Sequence, residues 1–318
     1  MGVAAAWTSL TASQTLEQEK RWTPITTSSV SLDSLFGGGQ GIPPGKITEI
    51  CGLPGSGKTQ LGLQLCINAQ IPCAAGGAGG NSIFVDTEGS FVAKRAAQIA
   101  AACSDKLNLS GDTTHNEDHL KTQNLMQGIQ YCRVHSPMEL IAMVRMLDGI
   151  VQAHPKTKLI VVDSISFLFR SNFSDMNVRT KLVAMLGRQL ATVARRYNIA
   201  VVVMNQMSTK IESNSDQRMR QGNGRSVGLV QPALGETWAS VCTHRIRLYS
   251  HGDGRRSARL FKSPSIQEQS VSFQIICGGI SDVGDASLQA TTIPGDEDAE
   301  FGLDLEETLL HWEPIEMP

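Results

Sequence analysis

The chain has 318 residues, of which 41% are hydrophobic and 18% charged, a balance typical of one or two globular α/β domains. No apolar run approaches the roughly 18 residues that a membrane span needs, and residues 1–20 lack the order of a secretory signal. The seven cysteines are scattered without a C-x-x-C pair, which favours free thiols over a disulfide framework or a zinc site. We therefore expect no membrane partner.

Charge is unevenly distributed along the chain. The net charge is −2, but residues 283–318 contain ten Asp or Glu and no Lys or Arg. The remaining residues hold 28 basic and 20 acidic side chains and therefore carry +8. A basic body with an acidic tail is a weak indication of a nucleic-acid partner, and ordinary scatter of charge explains it equally well.

The first predicted segments have little regular structure. Residues 1–27 are rich in Thr and Ser, lack a sustained hydrophobic period and are predicted to form a flexible arm or linker. Residues 31–41 follow as a short amphipathic turn that ends in glycines. We expect one folded domain over residues 28–282 and a disordered acidic tail over residues 283–318.

Strands and helices alternate through the predicted domain. The apolar strands are short, continuous and rich in β-branched residues, which is typical of a mainly parallel sheet with helices on both faces. The predicted strands span residues 47–51, 82–86, 159–163 and 200–204, and the predicted helices span 58–69, 92–103 and 178–197. Beyond residue 239, shorter runs at 243–249, 257–262 and 271–276 predict a short antiparallel C-terminal extension.

Residues 52–59 read GLPGSGKT and match the P-loop motif G-x-x-x-x-G-K-[ST] between a predicted strand and a predicted helix. The glycines let successive N–H groups face phosphates at a helix N-terminus, which favours anions. We expect ATP here, with Lys58 on the β- and γ-phosphates and the Thr59 hydroxyl on Mg²⁺. The predicted nucleotide-binding residues are Gly52, Pro54, Gly55, Ser56, Gly57, Lys58, Thr59 and Gln60.

Three polar residues at predicted strand ends complete the candidate site. Asp163 ends the run LIVVD, a Walker B pattern, and is predicted to hold Mg²⁺, with a helix N-cap as the alternative. Glu88 follows a strand that we expect beside the P-loop strand, where it can reach the attacking water, although a surface role is equally compatible. Gln206 ends a strand predicted one place further across and can bond the γ-phosphate or cap a turn.

The order of several motifs resembles the RecA-like strand-exchange ATPases of eukaryotes. These motifs are GLPGSGKT, FVDTEGSF, LIVVDSISFLFR, VVVMNQM, PALGETW and FKSPS, within residues 31–282. Their wording is most similar to the paralogue C branch of the family, which acts in homologous-recombination repair. The usual N-terminal helical domain of the family has no counterpart here, which we interpret as a truncation or a divergent start.

The resemblance implies roles for single residues. Glu88 matches the family's catalytic glutamate, Gln206 its γ-phosphate sensor, and Arg95 an arginine that packs on the adenine. Lys262 stands where core recombinases tend to carry Asp, in a segment that would face the ATP of a neighbouring subunit. Residues 169–179 and 209–228 match two DNA-binding loops. The candidate phosphate contacts in them are Arg170, Arg179, Lys210, Arg218, Arg220 and Arg225.

The motifs and the resemblance together predict a DNA-dependent ATPase that uses ATP and Mg²⁺. We expect it to bind single-stranded DNA and to assist homologous recombination with other recombinase paralogues and the recombinase filament. The expected location is the nucleus, with the cytoplasm as a second compartment. The alternative is an assembly module in which the nucleotide is mainly structural at subunit interfaces; it needs Lys58 and Asp163 but not Glu88.

Overall fold

The computed structural model describes residues 10–37, 39–109, 121–171, 173, 175–210, 229–252 and 254–284. Residues 285–318 of the acidic tail and three candidate DNA contacts, Arg218, Arg220 and Arg225, lie outside these ranges. Within them, no helix combines the length and the apolarity that crossing a bilayer requires.

The described residues form ten strands and nine α-helices. The strands are β1 (Ile47–Gly52), β2 (Asn81–Asp86), β3 (Ile129–Arg133), β4 (Thr157–Asp163), β5 (Ala200–Lys210), β6 (Leu229–Pro232), β7 (His244–Ser250), β8 (Arg256–Lys262), β9 (Gln269–Ile276) and β10 (Gly279–Asp282). The helices are α1 (Ala12–Glu19), α2 (Val30–Ser34), α3 (Lys58–Asn68), α4 (Ala93–Leu109), α5 (Thr122–Gln127), α6 (Pro137–Ala153), α7 (Ile165–Ser171), α8 (Met176–Tyr197) and α9 (Gly235–Val241).

The strands build one mixed sheet in the order β10-β9-β8-β7-β1-β5-β4-β2-β3, with β6 paired to β5. Strands β7, β1, β5, β4, β2 and β3 are parallel to their neighbours in this series, and β8, β9 and β10 are antiparallel. The predicted mainly parallel sheet with an antiparallel C-terminal extension is therefore confirmed.

The order of the strands differs from the prediction in two ways. Strand β2, expected beside β1, is the third strand from it, and β5, expected further across, lies directly against β1. Strand β7, expected in the antiparallel extension, is parallel to β1 and antiparallel only to β8. The prediction failed because the choice of neighbouring strand depends on long-range packing, which a local hydrophobic pattern does not encode.

Both faces of the sheet are buried, which explains the continuous apolar strands. Val161 and Val202 pack in one core with the helix that follows β1, while their sequence neighbours Val162 and Val203 pack in the second core on the other face. All four side chains are at most 1% exposed. Successive strand residues point to opposite faces, so a strand covered on both sides shows no polar alternation.

The N-terminal residues hold more structure than their composition predicts. Helix α1 carries a capping box at Thr11 but buries none of its side chains. Further along, Ile25 is buried and forms a β-bridge with Ile42. The Thr27 N–H and hydroxyl each donate to the Asp33 carboxylate at 2.7 Å. The boundary predicted at residue 27 lies inside this packed segment.

A buried carboxylate ties the P-loop strand to its neighbours. Glu49, in the middle of β1, is fully buried and accepts hydrogen bonds from Asn205 of β5 at 2.6 Å and from the Trp238 indole of α9 at 3.1 Å. Arg245 of β7 supplies the opposite charge through an ion pair to the same carboxylate. Glu49 therefore fixes three strands and one helix behind the P-loop.

Removal of the buried cation tests this arrangement. Arg245→Met leaves the Glu49 carboxylate buried without its countercharge, and we expect the free energy of unfolding to fall by about 3–5 kcal/mol. Arg259→Met is the matched control, because Arg259 forms an exposed ion pair with Glu268, directly before the adjacent strand β9, and its loss should cost less than about 1 kcal/mol. Urea unfolding measures both; equal losses would show that Glu49 needs no cation.

Candidate active site

The P-loop connects β1 to α3 through backbone conformations that favour glycine. Gly55 and Gly57 have φ angles of +77° and +101°, in the left-handed region that side chains disfavour. At Gly57 a Cβ atom would also lie 2.7 Å from the Ile275 Cδ1 atom, so a side chain there would have to displace Ile275 as well as strain the backbone. The loop therefore curls at the N-terminus of α3, where free N–H groups bind phosphates.

The curled loop forms one wall of a pocket of about 350 Å³. The pocket is lined by Gly55, Gly57, Lys58, Thr59, Gln60, Arg256 and Ile275. Three other predicted contacts lie beside it: Gly52 ends β1, Pro54 is exposed in the loop, and Ser56 is buried. The pocket is the expected place for the phosphates.

Lys58 begins α3 and folds back over the loop. Its Nζ atom donates to the carbonyl oxygens of Gly52 at 3.0 Å and Leu53 at 3.1 Å. Burial lowers the pKa of Lys58, while the nearby carboxylates of Asp163 and Glu88 oppose that shift. A phosphate would offer the ammonium a stronger, charged acceptor than the two carbonyls.

Asp163 and Thr59, the two residues predicted to hold Mg²⁺, are in direct contact. The Thr59 hydroxyl donates to the Asp163 Oδ2 atom at 2.6 Å, and Ser90 reaches the same oxygen at 3.3 Å. Burial is the main cause that raises the pKa of Asp163 to about 6, and the Glu88 charge adds to it. Oxygen donors suit Mg²⁺, which binds through one or two carboxylates together with substrate phosphates, so this pair fits the ion.

Glu88 lies in a chain of hydrogen bonds that ends at a predicted DNA contact. The Gln206 amide donates to the Glu88 Oε1 atom at 2.7 Å, and the Ser164 hydroxyl donates to the same oxygen. The Gln206 carbonyl oxygen in turn accepts from Arg170 at 2.8 Å. The structure thus joins Glu88, Gln206 and Arg170, which the sequence had assigned to three separate roles.

Asp86 holds the segment that carries Glu88, a role that the sequence analysis missed. The buried Asp86 carboxylate accepts the backbone N–H groups of residues 88–91 at 2.7–3.2 Å. Tyr131 and Arg133 of β3 bond to the same carboxylate at 3.1 and 3.2 Å. The available signal was an Asp two residues before Glu88 at a strand end, since Asp often bonds to the backbone that follows it.

Arg95 lies beside the pocket rather than inside it. Its Nε atom donates to Gln60 at 2.7 Å, and its Nη2 atom donates to the Ile276 carbonyl oxygen at 2.8 Å. The guanidinium therefore links the helix after the P-loop to the end of β9. This position is compatible with the expected adenine contact, which stays a prediction.

Lys262 and Arg179 bind backbone carbonyl groups of their own chain. Lys262 Nζ donates to Ala239 at 2.6 Å and to Cys242 at 2.8 Å, at the end of α9. Arg179 donates to Phe169 at 2.8 Å and to Ala233 at 3.2 Å, and so connects the first predicted DNA-binding segment to the residue that follows β6.

The role of Lys262 toward a neighbour's ATP and the DNA contacts of Arg170 and Arg179 stay predictions. The side chain of Lys210, another predicted DNA contact, lies outside the described residues.

A sequence model of the Rad51 family matches residues 18–283, which include every site residue above. The chain belongs to the Rad51 family. The resemblance to RecA-like recombinases is thereby confirmed. Rad51- and RecA-like proteins are ATPases that bind ATP with Mg²⁺, in agreement with the P-loop geometry.

Curated relatives include proteins of repair and of recombination. This Rad51-family chain is 38% identical to "DNA repair protein RAD51 homolog 3" of Cricetulus griseus over 92% of its length and 77% of that protein. It is 37% identical to the protein of the same name from Dictyostelium discoideum, over 82% of this chain and 66% of that one. A "Meiotic recombination protein DMC1/LIM15 homolog" of Homo sapiens is 33% identical, with 86% and 74% covered.

The ionised carboxylate of buried Asp163 is expected to destabilise this Rad51-family protein when no ligand is bound, although binding of Mg²⁺ needs the same negative charge. Because folding raises the Asp163 pKa from 3.8 to about 6, its contribution to stability is present below pH 3.8 and is lost as the pH rises through 6. Asp163→Asn removes that loss, so the variant free of metal and nucleotide should be more stable by about 3 kcal/mol at pH 8. The gain should fall by about half at pH 5.

Urea unfolding in EDTA at pH 8 and pH 5 measures the gain. Mg²⁺ with ATP should then stabilise the wild type more than Asp163→Asn, because the variant lacks the negative ligand. A variant less stable than the wild type at pH 8 would show that the ionised Asp163 carboxylate is not under strain in the ligand-free protein.

Proposed function

We propose that this chain is an ATP-hydrolysing DNA-repair protein of the recombinase-paralogue type. It binds single-stranded DNA and assists homologous recombination in a heteromeric complex with other paralogues, acting on the recombinase filament in the nucleus. The observation that carries the proposal is the hydrogen-bond chain from Glu88 through Gln206 to Arg170. The printed names of the relatives, which are repair and recombination proteins, support the same biological role.

ATP binding follows from the P-loop and its partners. The N–H groups at the start of α3 and the Lys58 ammonium bind the phosphates. Thr59 and Asp163 would hold Mg²⁺, which neutralises phosphate charge when it is bound. The pKa shifts of Lys58 and Asp163 both arise mainly from burial. The phosphates supply a negative charge to Lys58, and Mg²⁺ supplies a positive charge to Asp163. Binding of Mg²⁺-ATP therefore offsets the free-energy cost of burying both charged groups.

Hydrolysis needs a base that orients the attacking water. Both hydrogen bonds that the described residues donate to Glu88 end on Oε1, which leaves Oε2 to accept a proton from the water. Asp86 fixes the backbone around Glu88 and so limits the positions that its carboxylate can take. Glu88 therefore acts as the base, and Asp86 acts through it as a positioning residue.

Gln206 connects the proposed DNA-binding residues to the site of hydrolysis. Arg170, at the end of α7, contacts Gln206, and β5 continues from Gln206 towards residues 211–228. Arginine contacts to DNA phosphates are independent of sequence and sensitive to salt. A phosphate that draws Arg170 away from Gln206 changes the hydrogen bonds of Glu88, which connects DNA binding to ATP hydrolysis.

Two substitutions separate binding from hydrolysis. Lys58→Ala should abolish tight ATP binding because a phosphate countercharge is lost. Glu88→Gln should keep ATP binding and slow hydrolysis by about 100-fold or more, because only the base is removed. Isothermal titration measures binding, and phosphate release with and without single-stranded DNA and a paralogue partner measures hydrolysis.

The exposed Glu17 of α1 offers a matched control, since Glu17→Gln makes the same chemical change, from carboxylate to amide, outside the site. Its hydrolysis rate should equal that of the wild type. Equal hydrolysis by Glu88→Gln and wild type, with ATP binding intact, would favour the alternative in which the nucleotide serves only as a structural link between subunits.

A further inference from the structure

Arg256 is a cation in the phosphate pocket that no motif predicts. It begins β8, in the antiparallel extension, yet it lines the pocket together with the first residues of α3. Its Cδ and Nε atoms lie 3.5 Å from the position that a Cβ atom on Gly57 would occupy. The side chain therefore lies beside the P-loop at Gly57.

The Arg256 guanidinium has unused donors. Its Nε atom is buried, and no residue that the structure describes accepts its hydrogen bond. The Nη1 atom donates to the Gly254 carbonyl oxygen at 3.1 Å, which holds the group in place. A guanidinium has five N–H donors and stays charged, so a buried, unused donor costs free energy until an acceptor arrives.

Another arginine of β8 has a different arrangement. Arg259, three residues further, forms an ion pair with Glu268 at 2.7 Å. No ion pair to Arg256 is found within the described ranges, and the residues that line its pocket include no carboxylate. Two cations, Arg256 and Lys58, thus line one pocket without an acid between them.

We propose that Arg256 binds the phosphates of the nucleotide in the same chain, opposite the P-loop. The proposal rests on ATP binding as proposed above and adds a residue to that site. Planar guanidinium groups bind two phosphate oxygens at once, which suits this position.

The position of Arg256 also indicates which phosphates of the nucleotide it contacts. The pocket is lined by Gly57, Thr59 and Gln60 at the start of α3 and by neither Glu88 nor Gln206, which mark the γ-phosphate side. Arg256 therefore contacts the phosphates that ADP and ATP share. The antiparallel extension is in this way part of the nucleotide site.

The test compares nucleotide affinities of Arg256→Met and the wild type by isothermal titration with Mg²⁺-ADP and Mg²⁺-ATP. We expect both dissociation constants to rise by about 10- to 100-fold and by similar factors, because a charged hydrogen bond to shared phosphates is lost. Arg259→Met removes the same charge from the same strand and should bind as the wild type does. Arg256→Lys should recover part of the affinity.

Unchanged affinity of Arg256→Met would overturn the proposal, and so would a loss confined to ATP, which would place Arg256 at the γ-phosphate. Thermal unfolding without nucleotide shows whether each variant folds, and Arg256→Gln replaces Arg256→Met if the latter does not. Failure of the wild type to bind either nucleotide would instead refute the proposed function itself.

Discussion

The carboxyl ends of four parallel strands meet at one edge of the sheet, and the candidate site depends on that alignment. The backbone register pairs Gly52, where the P-loop begins, with Gln206 on β5, and pairs Asp86 on β2 with Asp163 on β4. A shift by one residue would turn every side chain to the other face. The buried cores on both faces prevent that shift, so packing far from the pocket fixes the positions of its polar groups.

This edge concentrates groups that are costly to bury without a ligand. Burial disfavours the charged forms of Asp163 and Lys58, and the buried Nε donor of Arg256 has no acceptor among the residues that the structure describes. In Glu49, by contrast, a buried carboxylate has two hydrogen-bond donors and a cation. The difference separates a structural buried charge, which its own chain satisfies, from charges for which we propose a nucleotide and a metal ion as partners.

The sequence predicts the residues of this site better than their arrangement. The P-loop and the Asp163 strand were found because each lies in a contiguous motif whose backbone needs are local. The position of β2, third from β1, was missed because strand order follows from packing across the sheet. Strand β3, with the run IQYCR, was overlooked because it lies at the sheet edge and is only partly buried. Without β3, the support of Asp86 by Tyr131 and Arg133 was not visible.

The link from Glu88 through Gln206 to Arg170 is the central claim, and the ratio of ATP hydrolysis rates with and without saturating single-stranded DNA tests it most directly. Gln206→Met removes both hydrogen bonds of the link while roughly preserving side-chain volume. We expect the ratio to exceed one in the wild type and to fall close to one in Gln206→Met under conditions where the DNA remains bound. An unchanged ratio in Gln206→Met would contradict the claim that this chain of hydrogen bonds couples DNA to hydrolysis.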